Sequence, residues 1–434
     1  MRLTRLFFSM TIVLSMSFLI VACKCKNKDC QCNSCPGDSC RCDTTLSKKS
    51  DSISEPSVNQ AFLFLDNSES MKGYSGDIKG YTNVLTQLSK AYGNTNVLLC
   101  CDDYRPMELE NGKSLVDGLK TLKYGGSSLL HKDLKAMVHT IADNNIVFFV
   151  TDAILSGSSE DINGTRNKKG NPKWTLDNAA GLKMDVNAVF QEAREKNVAT
   201  SVYQFRADYK GAYYCYDNSS ITINIQRYFY VFVLGKAANV LGFKRKYVGS
   251  EFFNPVHQLH FIDLMPLTGG ISVRDSRRSG NDWVFNIIDV NNKAADNNPG
   301  LIPVVMKAET LKNNLTQDEI EKLTMKMQIK AGKKSFTAED ITYDEKRGFS
   351  FLVNPNIQSK EFTVSINIPY QLPTWVKMSS CDDLENGDNY MKQKGMADSR
   401  TFLLYHLIDG MRQGLMGESE LLFMDEIKLK QQEN

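Results

Sequence analysis

The stretch AFLFLDNSESM at residues 61–71 joins a wholly apolar run to the pattern Asp-x-Ser-x-Ser. The apolar run is short and continuous, which is typical of a strand buried on both faces of a parallel sheet. The polar residues follow the carboxyl end of this strand, where open α/β sheets bind their ligands. Asp66, Ser68 and Ser70 can therefore turn three oxygens toward a common point. Hard divalent cations such as Mg²⁺ prefer oxygen ligands, so the stretch predicts a metal site at a sheet edge.

Two further segments have the residues that such a site would need. YGGSSL at residues 124–129 opens a helical pattern, and the apolar run at residues 146–150 ends in Thr151 and Asp152. Each segment alone is equally well explained by the ordinary turn and helix-capping preferences of Asp, Ser and Gly. The three segments together, in this order, resemble the metal-ion-dependent adhesion site of von Willebrand factor type A domains.

The resemblance implies a site for Mg²⁺, or for Mn²⁺ or Ca²⁺. Its implied ligands are Asp66, Ser68, Ser70, Ser127 and Asp152, the last one direct or through water. The family has a threonine where this chain has Ser127, which keeps the hydroxyl group, and the adjacent Ser128 is an alternative ligand. The family has a glycine where this chain has Ala153, which leaves the form of that turn open. A partner's Glu or Asp can complete the metal shell in the family, so the resemblance implies a protein partner that offers a carboxylate.

The N-terminal residues resemble a bacterial lipoprotein signal peptide. Arg2 and Arg5 precede an apolar stretch at residues 6–21, and LIVAC at residues 19–23 resembles a lipobox. This implies removal of residues 1–22, a lipid on Cys23 and a cell-envelope location, with the outer membrane favoured and its periplasmic or surface side open. The alternatives are an ordinary secretory signal and an uncleaved anchor, although the stretch is short for a spanning helix, which needs about 20 residues.

The cysteines are concentrated directly after this signal. Seven of the eleven lie between residues 23 and 42, in a segment too polar to build a core. Their spacing allows a disulfide-knotted tether, which an oxidising compartment favours, or a thiolate cluster for Zn²⁺ or Cu(I). We predict that residues 23–57 form a Cys-rich and polar tether to the membrane.

The pattern of the remaining chain predicts two regions of different structure. Strand and helix patterns alternate from residue 58 to residue 250, which predicts a doubly wound, mostly parallel α/β sheet of the von Willebrand A-like, Rossmann type. A polar insertion at residues 153–182 is predicted to overhang the metal site, with its Trp174 either recognising a ligand or anchoring the loop. Short alternating runs at residues 255–380 predict a smaller antiparallel β-sandwich, and residues 398–434 predict a C-terminal helix and a polar tail.

Composition and motif content narrow the function. A net charge of +2 gives no electrostatic footprint for nucleic acid. The pair His257-x-x-His260 is expected to be structural, and no Ser-His-Asp or Cys-His constellation is evident, so an enzyme is not predicted. Three hypotheses remain: a module that binds a protein partner through the metal, an envelope scaffold that binds through the β-sandwich, and, ranked last, a metal-dependent hydrolase.

Overall fold

A mixed seven-stranded sheet carries the Asp-x-Ser-x-Ser motif. The strands of this sheet are β1 Gln60–Leu65, β2 Thr95–Leu99, β3 Arg105–Pro106, β4 Asn145–Thr151, β5 Val198–Tyr214, β6 Ser220–Lys236 and β7 His257–Phe261. In this computed structural model their order across the sheet is β3-β2-β1-β4-β6-β5-β7. The structure describes residues 58–93, 95–107, 114–126, 129–154, 175–214, 220–262, 271–273, 277–279, 282–285, 302–306, 314, 328–331, 334–337, 342–344, 348–353, 361–381, 400–417 and 421–431.

Within this sheet, parallel pairing is confined to three neighbouring strands. β1 pairs in parallel with β2 and with β4, whereas the four other pairings described for this sheet are antiparallel. The mixed α/β architecture agrees with the sequence analysis, but the sheet is not mostly parallel as we predicted. The difference arises because β5 and β6, each of 17 residues, pair along their whole length as a hairpin. The hairpin brings β6 back beside β4 in the antiparallel direction.

Helices cover both faces of this sheet. The helices described are α1 Tyr81–Lys90, α2 Leu115–Thr121, α3 Leu130–Thr140, α4 Leu176–Glu195, α5 Ala237–Tyr247, α6 Thr374–Met378 and α7 Leu404–Met416. Phe64 and Phe149 pack in one core cluster with α3, α4 and α7, whereas Leu63 and Phe148 pack in a second cluster with α1, α2 and α5. This division follows from the strand period of two, which sends successive side chains to opposite faces. α4 begins inside the predicted insertion, and Trp174 lies outside the described residues.

The helix α7 packs against α4 at very close range. Asp409 on α7 forms ion pairs with Lys183 of α4, at 2.5 Å, and with Arg412 of its own helix, at 2.8 Å. A Cβ atom on Gly414 would lie 2.5 Å from the backbone oxygen of Asn187. Glycine at this position therefore allows the two helix backbones to approach each other.

We expect Gly414→Ala to lower the free energy of unfolding by about 2 kcal/mol, because the added methyl group would meet backbone atoms that move little. The matched control is Gly181→Ala on α4, where no atom lies within 4 Å of an added Cβ. That control should be neutral or stabilising by up to about 1 kcal/mol, since alanine favours helix. Urea unfolding of both variants tests the packing, and equal effects would contradict it.

The second region is built from short strands in two larger sheets. Its strands are β8 Ile271–Val273, β9 Arg277–Ser279, β10 Asp282–Phe285, β11 Ile302–Met306, β12 Gln328–Ala331, β13 Lys334–Thr337, β14 Thr342–Asp344, β15 Gly348–Val353, β16 Glu361–Pro369, β17 Ser380–Cys381, β18 Thr401–Phe402 and β19 Leu421–Gln431. The six-stranded sheet has the order β13-β12-β16-β19-β10-β9, the four-stranded sheet has β14-β15-β11-β8, and β17 pairs with β18. Within the two larger sheets, every described pairing except β10 with β19 is antiparallel.

The strand β19 occupies residues for which we predicted a polar tail. It pairs with β16 along nine residue pairs, from Glu361–Lys430 to Pro369–Leu421. The sequence LLFMDEIKLKQ at residues 421–431 has apolar residues at positions 421, 423, 427 and 429, which fits the strand period of two. The charged residues between them concealed this period in the sequence analysis.

Candidate metal centre

The Asp66 side chain organises the turn that follows β1. Its backbone N–H donates to the carbonyl oxygen of Val150 on β4, at 3.0 Å. Its Oδ1 accepts from the backbone N–H of Ser68 at 2.9 Å, and its Oδ2 accepts from the Thr151 hydroxyl at 2.6 Å. The carboxylate is fully buried. Asp66 thus joins the carboxyl ends of two adjacent parallel strands.

The two serines of the motif converge beside this carboxylate. Ser68 Oγ and Ser70 Oγ lie 3.1 Å apart, and both side chains are buried. Ser70 begins the 3-10 turn Ser70–Tyr74, in which Ser70, Met71, Gly73 and Tyr74 are buried. The turn therefore gathers the three oxygen-bearing side chains that the sequence predicted as ligands in this segment.

Asp152 adds a second buried carboxylate to the same end of the sheet. Its Oδ1 accepts from the backbone N–H of Ile154 at 3.1 Å, whereas its buried Oδ2 has no hydrogen-bond partner among the residues that the structure describes. Burial and the charge of Asp66 raise the pKa of Asp152 to about 6, while the Arg227 guanidinium and hydrogen bonds from the Ile154 N–H and the Ser70 hydroxyl oppose the rise. A buried oxygen of this kind is costly unless a donor or a cation satisfies it.

The turn after β4 takes a conformation that usually requires glycine. Ala153 has a φ of 55°, in the left-handed region, and its N–H donates to the Thr151 hydroxyl at 3.0 Å. An alanine enters this region at a cost of about 1 kcal/mol. The form of the turn at Ala153, which the sequence left open, is therefore a tight turn that places Asp152 at the end of the sheet.

Asn67, which the sequence analysis did not select, connects three loops around the site. Its Oδ1 accepts from the N–H of Cys101 at 2.8 Å, and its Nδ2 donates to Asp102 at 3.2 Å and to the carbonyl of Lys123 at 3.4 Å. Its own carbonyl accepts from the N–H of Gly125 at 3.0 Å. Lys123, directly before the segment YGGSSL, and Gly125 within it are thereby held beside the Asp-x-Ser-x-Ser turn.

The predicted ligand Ser127 and its alternative Ser128 lie outside the described residues, so their roles stay predictions. The residue before them, Gly126, has a φ of 75°, which favours glycine at this position. The lipidation site Cys23 and the other cysteines up to residue 42 also lie outside the described residues, as does Cys215. Cys100 and Cys101 are free thiols.

The β5–β6 hairpin covers the site. A Cβ on Gly211 of the hairpin would lie 2.8 Å from the Cα of Gly73 in the 3-10 turn, so the two backbones are in contact. Tyr74 donates its hydroxyl to the carbonyl of Tyr228 at 2.6 Å, and its ring packs edge-on against Tyr209 at 4.7 Å. Under this cover, the described residues of the motif and Asp152 are between 0% and 6% exposed, except for Glu69.

The hairpin also brings a fully buried arginine to the site. The Cζ of Arg227 lies 4.4 Å from the ring centroid of Tyr213 and 5.2 Å from that of Tyr209. None of its three side-chain nitrogens has a hydrogen-bond partner among the described residues. Sequence reasoning missed Arg227, although a single charge at the start of the aromatic run at residues 227–235 was an available signal.

The two histidines considered in the sequence analysis lie in packing contacts. His260 Nδ1 lies 2.8 Å from Ser201 Oγ, and burial holds the pKa of His260 well below its usual value. His257 stacks on Trp375 with a centroid distance of 5.4 Å. In the described ranges, no three His, Cys, Asp or Glu side chains form a metal-binding group. The candidate site instead combines two carboxylates with hydroxyl groups, an oxygen set that suits a hard cation such as Mg²⁺.

We expect the contribution of Asp152 to the stability of the metal-free protein to fall as the pH rises from about 4 to about 6. The pKa of Asp152 is raised in the folded state, so this state binds the proton more tightly than the unfolded state does. The contribution is full below the unfolded pKa of about 3.9 and is lost as the pH passes about 6, a change of up to about 3 kcal/mol.

Urea unfolding in EDTA across this pH range tests the expectation, with Asp152→Asn as the comparison. Burial lowers the pKa of His260 and works in the opposite direction, but it acts equally in both proteins, so their difference isolates Asp152. An identical pH profile for the two proteins would contradict the expectation.

Comparisons with known proteins yielded no relative: no protein-family model, no curated protein and no solved structure matches this chain. None of the helices in the described part of the chain is long and apolar enough to cross a membrane.

Proposed function

We propose that this chain is a lipid-anchored protein of the bacterial cell envelope that binds a protein partner through a divalent metal ion. One observation carries the proposal. Asp66, Ser68, Ser70 and Asp152 lie together at the carboxyl ends of two adjacent parallel strands, and Asp152 has a buried oxygen without a partner among the described residues. Open α/β sheets bind their ligands at this edge.

The proposed metal shell has at least one coordination position that the chain does not fill. Mg²⁺ takes six oxygen ligands, and the chain would supply at most five, from Asp66, Ser68, Ser70, Asp152 and Ser127. A carboxylate of the partner would occupy an open position, so that the ion bridges acidic groups of the two proteins. In a water-poor site this contact is stronger than an exposed salt bridge.

We also propose the finer fold that this function implies. The α/β region would be a doubly wound domain of the von Willebrand A-like, Rossmann type into which the β5–β6 hairpin is inserted, and the two larger sheets of the second region would form a β-sandwich. Helices on both faces of the central sheet support the first part. The almost wholly antiparallel pairing of the second region supports the other part.

The burial of the site favours a second candidate function. With Asp66, Ser68, Ser70 and Asp152 almost fully buried under the hairpin, a metal would stabilise the α/β region without contacting a partner. The protein would then be an envelope scaffold that binds through the β-sandwich. The two candidates differ in whether partner capture depends on the metal.

Capture of partners from solubilised cell envelopes by the tagged full-length chain tests the proposal. We expect a partner to be retained by the wild type in Mg²⁺ and lost both in EDTA and by Asp152→Ala, because each removes the bridging ion. Asp185→Ala is the matched control, since Asp185 is an exposed aspartate on α4. A partner retained under all conditions would contradict the metal-bridged function and favour the scaffold.

A further inference from the structure

The burial of the charged side chain of Arg227 is not explained by the candidate metal site alone. It is fully buried on β6, and its guanidinium finds no acceptor among the described residues. The rings of Tyr209 and Tyr213 hold it by cation–π contacts, which return only part of the cost of removing a charge from water. A buried cation without hydrogen bonds therefore requires a compensating negative charge nearby.

The register of β4 and β6 indicates that Asp152 supplies this negative charge. Thr151 at the end of β4 is opposite Tyr230 on the antiparallel strand β6, so Asp152 and residues 229 to 227 extend to the same side of this pair. By the strand period of two, Arg227 shares a face with Phe229 and Val231, and Asp152 continues the face of Val150. All three apolar residues belong to the same core cluster, so Asp152 and Arg227 lie on the same face at this end of the sheet.

Asp152 and Arg227 each lack the kind of hydrogen-bonding partner that the other could provide. Asp152 Oδ2 lacks a donor within the described part of the chain, and Arg227 lacks an acceptor there. Opposite charges attract strongly where water is excluded. In agreement with this, Arg227 opposes the rise of the pKa of Asp152. Burial lowers the pKa of Arg227, but Tyr74, Tyr213 and Asp152 together outweigh it and raise that pKa.

We propose that Arg227 is the resident counter-cation of the Asp66–Asp152 pair and that it sets the divalent-metal affinity of the site by competing with the ion. This inference rests on the proposed metal site. Without metal, the guanidinium compensates one of the two carboxylate charges. When a dication binds, the same guanidinium repels it and weakens its binding.

The first test measures Mn²⁺ binding to the purified full-length chain by titration calorimetry. Arg227→Met removes the charge and keeps an unbranched side chain, and we expect it to bind Mn²⁺ at least about tenfold more tightly than the wild type. Arg227→Lys keeps the charge and should stay within about twofold of the wild type. Arg206→Met is the matched control, because Arg206 is exposed on the same hairpin. Unchanged affinity of Arg227→Met would overturn the proposal.

The second test does not depend on a metal. In EDTA, Arg227→Met should lower the Tm by about 5 °C or more, and most of the loss should be recovered when Asp152→Asn is added. If Arg227→Met alone does not fold, recovery of a folded protein in the double variant is the same result. No recovery would show that the guanidinium acts only by packing and would overturn the counter-cation role. If neither wild type nor Arg227→Met binds Mn²⁺, the metal site itself is wrong, and this second test alone decides the role of Arg227.

Discussion

Asp66→Ala is expected to lower the Mg²⁺ affinity by at least about 100-fold and the free energy of unfolding by about 3 kcal/mol. The affinity falls because the substitution removes one of the two carboxylates of the site. The stability falls because Asp66 accepts hydrogen bonds from the Ser68 N–H and the Thr151 hydroxyl, both buried. Leaving such a group without its partner costs about 1–3 kcal/mol. Titration calorimetry with Mg²⁺ and urea unfolding in EDTA measure the two effects separately.

Asp66→Asn separates the two roles of this side chain. The amide oxygen can accept from the Ser68 N–H, and the amide nitrogen can donate to the Thr151 hydroxyl, so we expect a stability loss of at most about 1 kcal/mol. The charge is lost, so Mg²⁺ binding should be almost as weak as in Asp66→Ala. Wild-type Mg²⁺ affinity in Asp66→Asn would show that the ion does not bind at this carboxylate.

The parts of the site that the sequence predicted are those that local chain geometry controls. An apolar strand that ends in Asp-x-Ser-x-Ser forms its turn from its own side chain, as the bond from the Ser68 N–H to Asp66 shows. Asp152 follows the next strand in the same way, and parallel pairing of β1 with β4 brings the two ends together. The turn after β1 and the position of Asp152 at the end of β4 each follow from a pattern within about ten residues, so the sequence alone predicted them.

The parts that the sequence did not predict depend on contacts between distant segments. Asn67 has its role only because three loops meet around it. The direction of β6 was hidden because an apolar run does not tell a parallel from an antiparallel strand. The length of β5 was partly readable, since Arg206, Asp208 and Lys210 are exposed between buried neighbours with a period of two. The sequence did not show what this hairpin covers, because Gly211 and Gly73, which are in contact, lie 138 residues apart in the chain.

Gly211→Val is expected to lower the free energy of unfolding by between about 3 and 5 kcal/mol. A Cβ at this position would lie 2.8 Å from the Cα and 3.3 Å from the nitrogen of Gly73, so backbone must move to admit it. Overpacking usually costs about 1–3 kcal/mol, and the two added methyl groups of valine beside the backbone of Gly73 place this case at or above that range. Gly76→Val is the matched control, because no atom lies within 4 Å of an added Cβ there. Urea unfolding should show little change for the control, and equal losses would contradict the close contact.

The same substitution tests whether the hairpin masks the metal site. Gly211 contacts the 3-10 turn that begins at Ser70, so moving the hairpin should expose Asp152 and speed the association of Mn²⁺, which stopped-flow mixing measures. This movement of the hairpin should also draw Arg227 away from Asp152, because Gly211 and Arg227 both belong to the hairpin. Faster association together with tighter binding would mean that the hairpin limits both the entry and the affinity of the ion. Unchanged association in a destabilised variant would mean that the ion enters from another side, so that the hairpin supports the turn without gating it.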